Sequence, residues 1–232
     1  MKQLQVIYED NHLIAINKPA GALVQGDKTG DRPISDQVKA YIKRKYNKPG
    51  DVFLGLIHRI DRPVSGVLIF ARTSKALARM NELFRNKEMK KEYLAVSQER
   101  PTPIEGSIKN FIWNAPDKNR VTILEKQGRR TKDAKLSETD YRLLGEIDGH
   151  HLIQVHPKTG RKHQIRAHMA SIGSIIIGDM RYGKRTPLED KSIGLHCRSM
   201  SFIHPVKKEP ITIKASLPKI HMWRKFKNLA NQ

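Results

Sequence analysis

The chain has 232 residues, and 44 Lys and Arg against 23 Asp and Glu give it a net charge of +21. A hydrophobic fraction of 38% at this length supports a real core and excludes a disordered chain, while the basic excess points to a polyanionic partner, nucleic acid ahead of an anionic membrane surface. The single cysteine, Cys197, excludes an intramolecular disulfide and a cysteine-rich zinc site; with no secretory signal and no run near the ~18 apolar residues that span a bilayer, a cytoplasmic protein is expected.

Strand-like apolar residues at 3–8 and 12–17 flank a turn made by "ED" and "NH", and "NKPAG" at Asn17–Gly21 is a Pro/Gly loop. A helix is predicted from near Ser35, its N-cap, with Val38, Tyr41 and Ile42 on one face. The short runs "VFLGLI" and "GVLIFA" read as buried strands on either side of "HRIDRPVSG". "TSKALARMNELFRNKE" reads as a helix capped by Thr73 or Ser74, and "KEYLAVSQ" as a strand.

Residues 114–138 are charged and poor in large apolar residues apart from "VTIL", which predicts an exposed excursion, a mobile hairpin. A β-hairpin with its turn at Asp148-Gly149 follows. "RKHQIRAHMASIG" reads as a short helix with Ile165, Met169 and Ile172 on one face, ended by Gly173. Strands around 193–203 and 210–217 and a terminal helix complete the chain. Strands outnumber helices in irregular order, so the expected class is α+β, with 1–232 as one domain.

His156, His163, His168 and His196 invite a metal, but His163 and His168 stand five apart, about 140° around a helix, and cannot share one ion. No metal is expected. The phosphate-loop, dinucleotide and nucleophile-elbow motifs are all missing.

Asp61 is the residue of interest. An Asp, a Pro and a Gly within six residues is ordinary turn chemistry, and that reading stands as the bland one. Against it, the stretch joins two apolar runs, so its polar residues sit at the edge of a core. His58 and Arg59 beside it are suited to gripping a polyanion, as are Arg161, Lys162 and Arg166 in "TGRKHQIRAH" near a helix start. A carboxylate among such cations is favoured in its ionised form, the state a nucleophile or general base needs.

The same residues carry a family resemblance. "HRIDRPVSGVLIFAR" resembles the HRLDxxTSG motif of the RluA-type pseudouridine synthases, "KKEYLAV" their second motif, and "HPKTGRKHQIRAHMASIGSIIIGDMRYG" their third. "NKPAG" and "GLHCRSMSFIHP" also fit, so the likeness runs the length of the chain; Ile60 and Val64 depart from the usual Leu and Thr. The resemblance implies a catalytic domain on a bent, mostly antiparallel mixed sheet, of the shorter kind that lacks an added N-terminal RNA-binding domain. It implies isomerisation of uridines in tRNA or large-subunit rRNA to pseudouridine, without cofactor or metal. By the same likeness Asp61 starts the reaction, as nucleophile on the ribose or as base. Arg59 enters the base stack, Tyr93 stacks on the uracil, Arg166 pairs with Asp61, and Leu195 packs against the ring. RNA is the expected partner, with no membrane, no obligate protein partner and a monomeric state; the rivals are a non-catalytic RNA-binding or ribosome-assembly protein and a metal-dependent nuclease.

Overall fold

The computed structural model describes residues 4–26, 30–115, 120–183 and 186–231. Its contacts group into two compact units: Met1–Lys90 with Cys197–Ser216, and Lys91–His196 with Leu217–Gln232.

The first unit opens with β1 (Val6–Glu9) and β2 (Leu13–Lys18), paired antiparallel. Between them Asp10 Oδ1 accepts the N–H groups of His12 and Leu13 at 2.8 and 2.7 Å, an Asx turn that explains the predicted break. α1 (Ile34–Lys45) buries Ile34, Val38 and Ile42, spaced by four, against Ile14, Ile16, Leu68 and Phe70. Burying each such side chain is worth about 1.5–3 kcal/mol. Ser35 is not the cap: Pro33 precedes the helix and offers no side-chain bond, and its fixed φ sets the entry instead. Of "VFLGLI" only β3 (Gly55–Leu56) is strand. Gly55 lies where a β-carbon would press on Leu77, so the run yields to close packing under a helix.

β4 (Ser65–Ala71) is buried throughout and pairs antiparallel with β2, Ile16 opposite Leu68. α2 (Ser74–Arg85) begins as predicted, Thr73 accepting the Ala76 N–H at 3.1 Å.

In the second unit, β5 (Lys90–Ser97), β6 (Glu105–Trp113), β7 (Thr122–Leu124), β8 (Lys135–Ile147) and β9 (His150–Pro157) lie in the order β5-β9-β8-β6-β7. Asp148 and Gly149 have φ of 51° and 68°, the double positive of a type I′ turn, so the β8–β9 hairpin forms where the sequence places it. The stretch 114–138 is an excursion only in part. β7 pairs with β6, and Val121 and Ala134 are buried; positions 116–119 of that stretch lie outside the described residues.

α3 (Gln164–Ser171) starts later than predicted and is buried from Gln164 to Met169, polar residues included. Gln164, Arg166 and the Nε2 of His168 are paired internally, which removes the solvent face that an amphipathic reading assumes. β10 (Leu195–Ile203) begins in the second unit and ends in the first, where β11 (Pro210–Lys214) pairs with it. α4 (His221–Lys225) seats Trp223, followed by Phe226, on Leu94, Val96 and Leu152 of the second unit. The class is α+β, and the pairings β1–β2, β2–β4, β3–β4, β10–β11, β5–β9, β8–β9, β6–β8 and β6–β7 are antiparallel.

Candidate active site

In the first unit Asp61 stands half-buried in the loop between β3 and β4. The Val64 N–H donates to its carbonyl at 3.0 Å, so the stretch is indeed a turn. The turn holds the Asp61 backbone in place and leaves its carboxylate on the loop.

Two residues fix that turn from below. Lys18, at the end of β2, is wholly buried, and its Nζ donates to the carbonyls of Pro19, Ala22 and Arg62 at 3.0, 2.9 and 3.1 Å. Three acceptors call for three N–H groups, which the ammonium has and the neutral amine lacks. Burial pushes the Lys18 pKa down to about 7; the Asp61 carboxylate opposes that fall and the Arg62 charge adds to it. Arg62 completes the clamp: its Nε donates to the Gly21 carbonyl at 3.0 Å, the Gly21 N–H returns a bond to the Arg62 carbonyl at 2.8 Å, and Nη2 meets Asp31. The "NKPAG" loop is therefore bonded to the Asp61 loop by backbone and side chain together.

The arginines flanking Asp61 differ in use. Arg62 binds the protein's own backbone, whereas Arg59 is exposed. His58 accepts the Ile69 N–H on Nε2 at 3.0 Å and stacks on Phe84 at 5.4 Å, which places the imidazole against β4 and α2. Nε2 is thereby the unprotonated nitrogen. Gly66 has a φ of +117°, and a β-carbon there would lie 2.2 Å from the Cys197 carbonyl oxygen. Only glycine fits.

In the second unit Tyr93, half-buried on β5, sits opposite Val155. Arg166 on α3 is 4% exposed, and its Nε and Nη2 each reach a carboxylate oxygen of Asp179 at 2.7 Å. The Tyr182 ring lies 5.4 Å from the guanidinium. The loop before α3 is held just as firmly. Gln164 accepts from Thr159 and from the Arg161 N–H and donates to Thr139 and the Glu138 carbonyl. Arg161 donates to the Leu136 carbonyl, and exposed Lys162 to Asn114. Arg161, Lys162 and Arg166 thus share one loop and helix. Leu195, 3% exposed, opens β10.

Beneath α3, His168 Nε2 lies 2.9 Å from Ser137 Oγ and 3.0 Å from Asn110 Oδ1, which can only accept, so Nε2 carries the proton. Burial pushes the His168 pKa down to about 4. This histidine is a neutral structural group. Among the described residues no group of three or more His, Cys, Asp or Glu is placed to hold a metal ion, and no helix is long and apolar enough to cross a membrane.

Lys18, Arg62 and Asp179 hold the candidate residues' surroundings through bonds that residue type alone does not reveal. A lysine ending an apolar strand and an aspartate after "IIIG" carry no sign of burial; the one signal was their place inside motif-like runs.

The first unit thus presents a half-buried aspartate on a clamped turn, and the second a helix with a buried, ion-paired arginine, each on an α+β frame of mostly antiparallel strands. A family model described as RNA pseudouridylate synthase matches residues 12–171. The chain is 31% identical over 237 residues to the tRNA pseudouridine synthase C of Vibrio cholerae, covering 94% of this chain and 92% of that protein. It is 35% identical over 222 residues to the ribosomal large subunit pseudouridine synthase C of Buchnera aphidicola, covering 92% and 67%. In structure it resembles human RNA pseudouridylate synthase domain containing 4, with a TM-score of 0.77 over 97% of this chain and 91% of that one, at 23% identity. The chain belongs to the RNA pseudouridylate synthase family. Its activity is accordingly that of an RNA pseudouridine synthase.

Proposed function

We propose that the chain, acting as one catalytic domain, isomerises specific uridines in tRNA, large-subunit rRNA or both, with Asp61 as the group that starts the reaction. The observation that carries this is the Asp61 turn, held by Lys18 and Arg62 with its carboxylate half-buried and an exposed Arg59 two residues away.

A uracil in folded RNA must leave its stack before its glycosidic bond can be reached. Arg59 is the residue to fill the gap, since a planar guanidinium both stacks and hydrogen-bonds. Asp61 attacks the ribose carbon bearing the base or takes the adjacent ribose proton. The released uracil then turns and rejoins through carbon. Tyr93 stacks on the ring and Leu195 packs against it, while Arg166 pairs with Asp61 and holds its charge and orientation. His58, Arg161 and Lys162 contact the RNA backbone, His58 through its ring edge. The names of the relatives support tRNA and large-subunit rRNA as substrate classes. The excess of Lys and Arg supports RNA as the partner, on which the chain works as a cytoplasmic monomer without a membrane or an obligate protein partner.

The test is tritium release from RNA labelled at carbon five of uracil, with and without EDTA. Asp61→Asn nearly preserves shape and removes the charge, so RNA affinity should hold and release should vanish. Substantial turnover by the variant would return Asp61 to a turn residue alone.

A further inference from the structure

The C-terminal half of α1 and the loop after it carry a concentration of charge that the candidate active site does not use. Lys39, Lys43, Arg44, Lys45 and Lys48 are all exposed, and no Asp or Glu occurs between Asp36 and Asp51. A helix C-terminus favours a cation or two in its last turn. That effect does not reach Lys48, beyond the helix, nor account for the aromatic rings beside it.

Tyr46, 41% exposed, is held in place. Its hydroxyl donates to Glu9 Oε1 at 2.8 Å, and the Arg72 guanidinium lies 4.5 Å from its ring centroid. Glu9 also accepts from Tyr41, Lys45 and Arg72, at 3.0, 2.6 and 3.3 Å, so the carboxylate in this cluster is already engaged. Seven residues on, Phe53 is 49% exposed while Val52 and Leu54 pack against the core. The alternation of half-buried and exposed residues from Val52 to Leu54 turns the phenyl ring outward, in the same basic loop as Tyr46. A pinned aromatic ring loses little freedom when a base stacks on it, which makes the platform preorganised.

From these observations we infer that α1 and the 46–53 loop form a second RNA-contact surface: Lys43, Arg44 and Lys48 hold phosphates of an unpaired or looped segment, and Tyr46 and Phe53 take its bases. The two ingredients, a basic track and stacking rings, are those of single-strand recognition. An anionic lipid surface would use the charges but would call for an apolar helix face, and the apolar face of α1 is buried. The inference rests on RNA being the substrate. It concerns affinity and not the Asp61 chemistry.

The experiment measures Kd for bulk bacterial tRNA and for a large-subunit rRNA transcript across a salt series, in wild-type and Asp61→Asn backgrounds, so that binding is read apart from turnover. Lys43→Ala/Arg44→Ala/Lys48→Ala should raise Kd about ten-fold at moderate salt and flatten the log–log salt slope by about 2, with kcat at saturating RNA unchanged. Phe53→Ala should raise Kd about five-fold or more with the slope unchanged. Gln replacements and Phe53→Leu form a second set should the alanine variants fold poorly. As a control, Lys208→Ala/Lys214→Ala/Lys219→Ala removes three exposed charges elsewhere. Wild-type binding by either the basic or the Phe53 variants overturns the inference. So does an equal loss in the control, or a loss of binding to phosphatidylglycerol vesicles with RNA affinity intact.

Discussion

Arg166 and Asp179 form a two-point ion pair, Nε to Oδ2 and Nη2 to Oδ1, both 2.7 Å, with 5% and 1% of the side chains exposed. Asp179 Oδ1 also accepts the Arg181 N–H at 3.0 Å, which ties the segment after α3 to the same carboxylate. A buried pair of this kind fixes the orientation of a guanidinium more than it adds stability.

Asp179→Asn should therefore cost about 3–5 kcal/mol, because it leaves a buried arginine without its counter-charge. Replacing both partners together, Arg166→Met with Asp179→Leu, should recover most of that loss in urea melts while turnover stays low. Recovery of both stability and turnover in the double variant would show that the pair serves packing alone.

Lys18 offers a pH signature. Its folded pKa, about 7, lies below the ordinary 10.5. Between those values the unfolded chain binds the extra proton, so stability rises with pH from about 7 toward 10.5 and is flat below. In Lys18→Met that rise should be missing, and three carbonyls lose their donor, at a cost of roughly 2–4 kcal/mol near neutrality. Denaturant midpoints across the pH range check it; parallel curves for the two proteins would contradict it.

Gly66→Ala should be among the most damaging single-methyl additions. The new β-carbon would stand 2.2 Å from the Cys197 carbonyl oxygen at a φ of +117°. Displaced backbone and strained φ together should cost ~3 kcal/mol or more. The readout is the melting temperature. A shift within error would mean that β4 and β10 part easily.

His168 governs an acid-side effect. Its folded pKa of about 4 lies below the ordinary 6.5, so stability is intact above pH 6.5 and is lost as pH falls from 6.5 toward 4. His168→Gln keeps a donor for Asn110 and cannot titrate. It should be less stable at pH 7 by about 1 kcal/mol and lose less on acidification. Equal acid slopes would place the titrating group elsewhere.

Local periodicity and turn chemistry made much of this fold legible: the I′ turn at Asp148-Gly149, the Thr73 cap and the four-residue spacing of Val38 and Ile42 are all short-range signals. Ser35 misled because the fixed φ of Pro33, two residues earlier, sets the start of α1, and "VFLGLI" because β3 is cut short under Leu77, a tertiary fact. Asp61 stood out as a charge between two apolar runs, and Arg166 as one of three cations near a helix start. Lys18 and Asp179 did not, since what distinguishes them is complete burial, and burial of an ionised group depends on partners 44 and 13 residues away.

Cys197 turns the close approach of β4 and β10 into a clock. The thiol is fully buried, and its backbone fills the space where any side chain at 66 would go. A thiol reagent can reach it only in molecules whose strands have opened. Where opening and closing outpace alkylation, the labelling rate divided by that of a free thiol is the opening equilibrium constant. The chain has one cysteine, so every count from such labelling comes from the strand behind the Asp61 turn. Adding RNA during labelling would then weigh, in one measurement and without turnover, how much bound RNA holds β4 and β10 together.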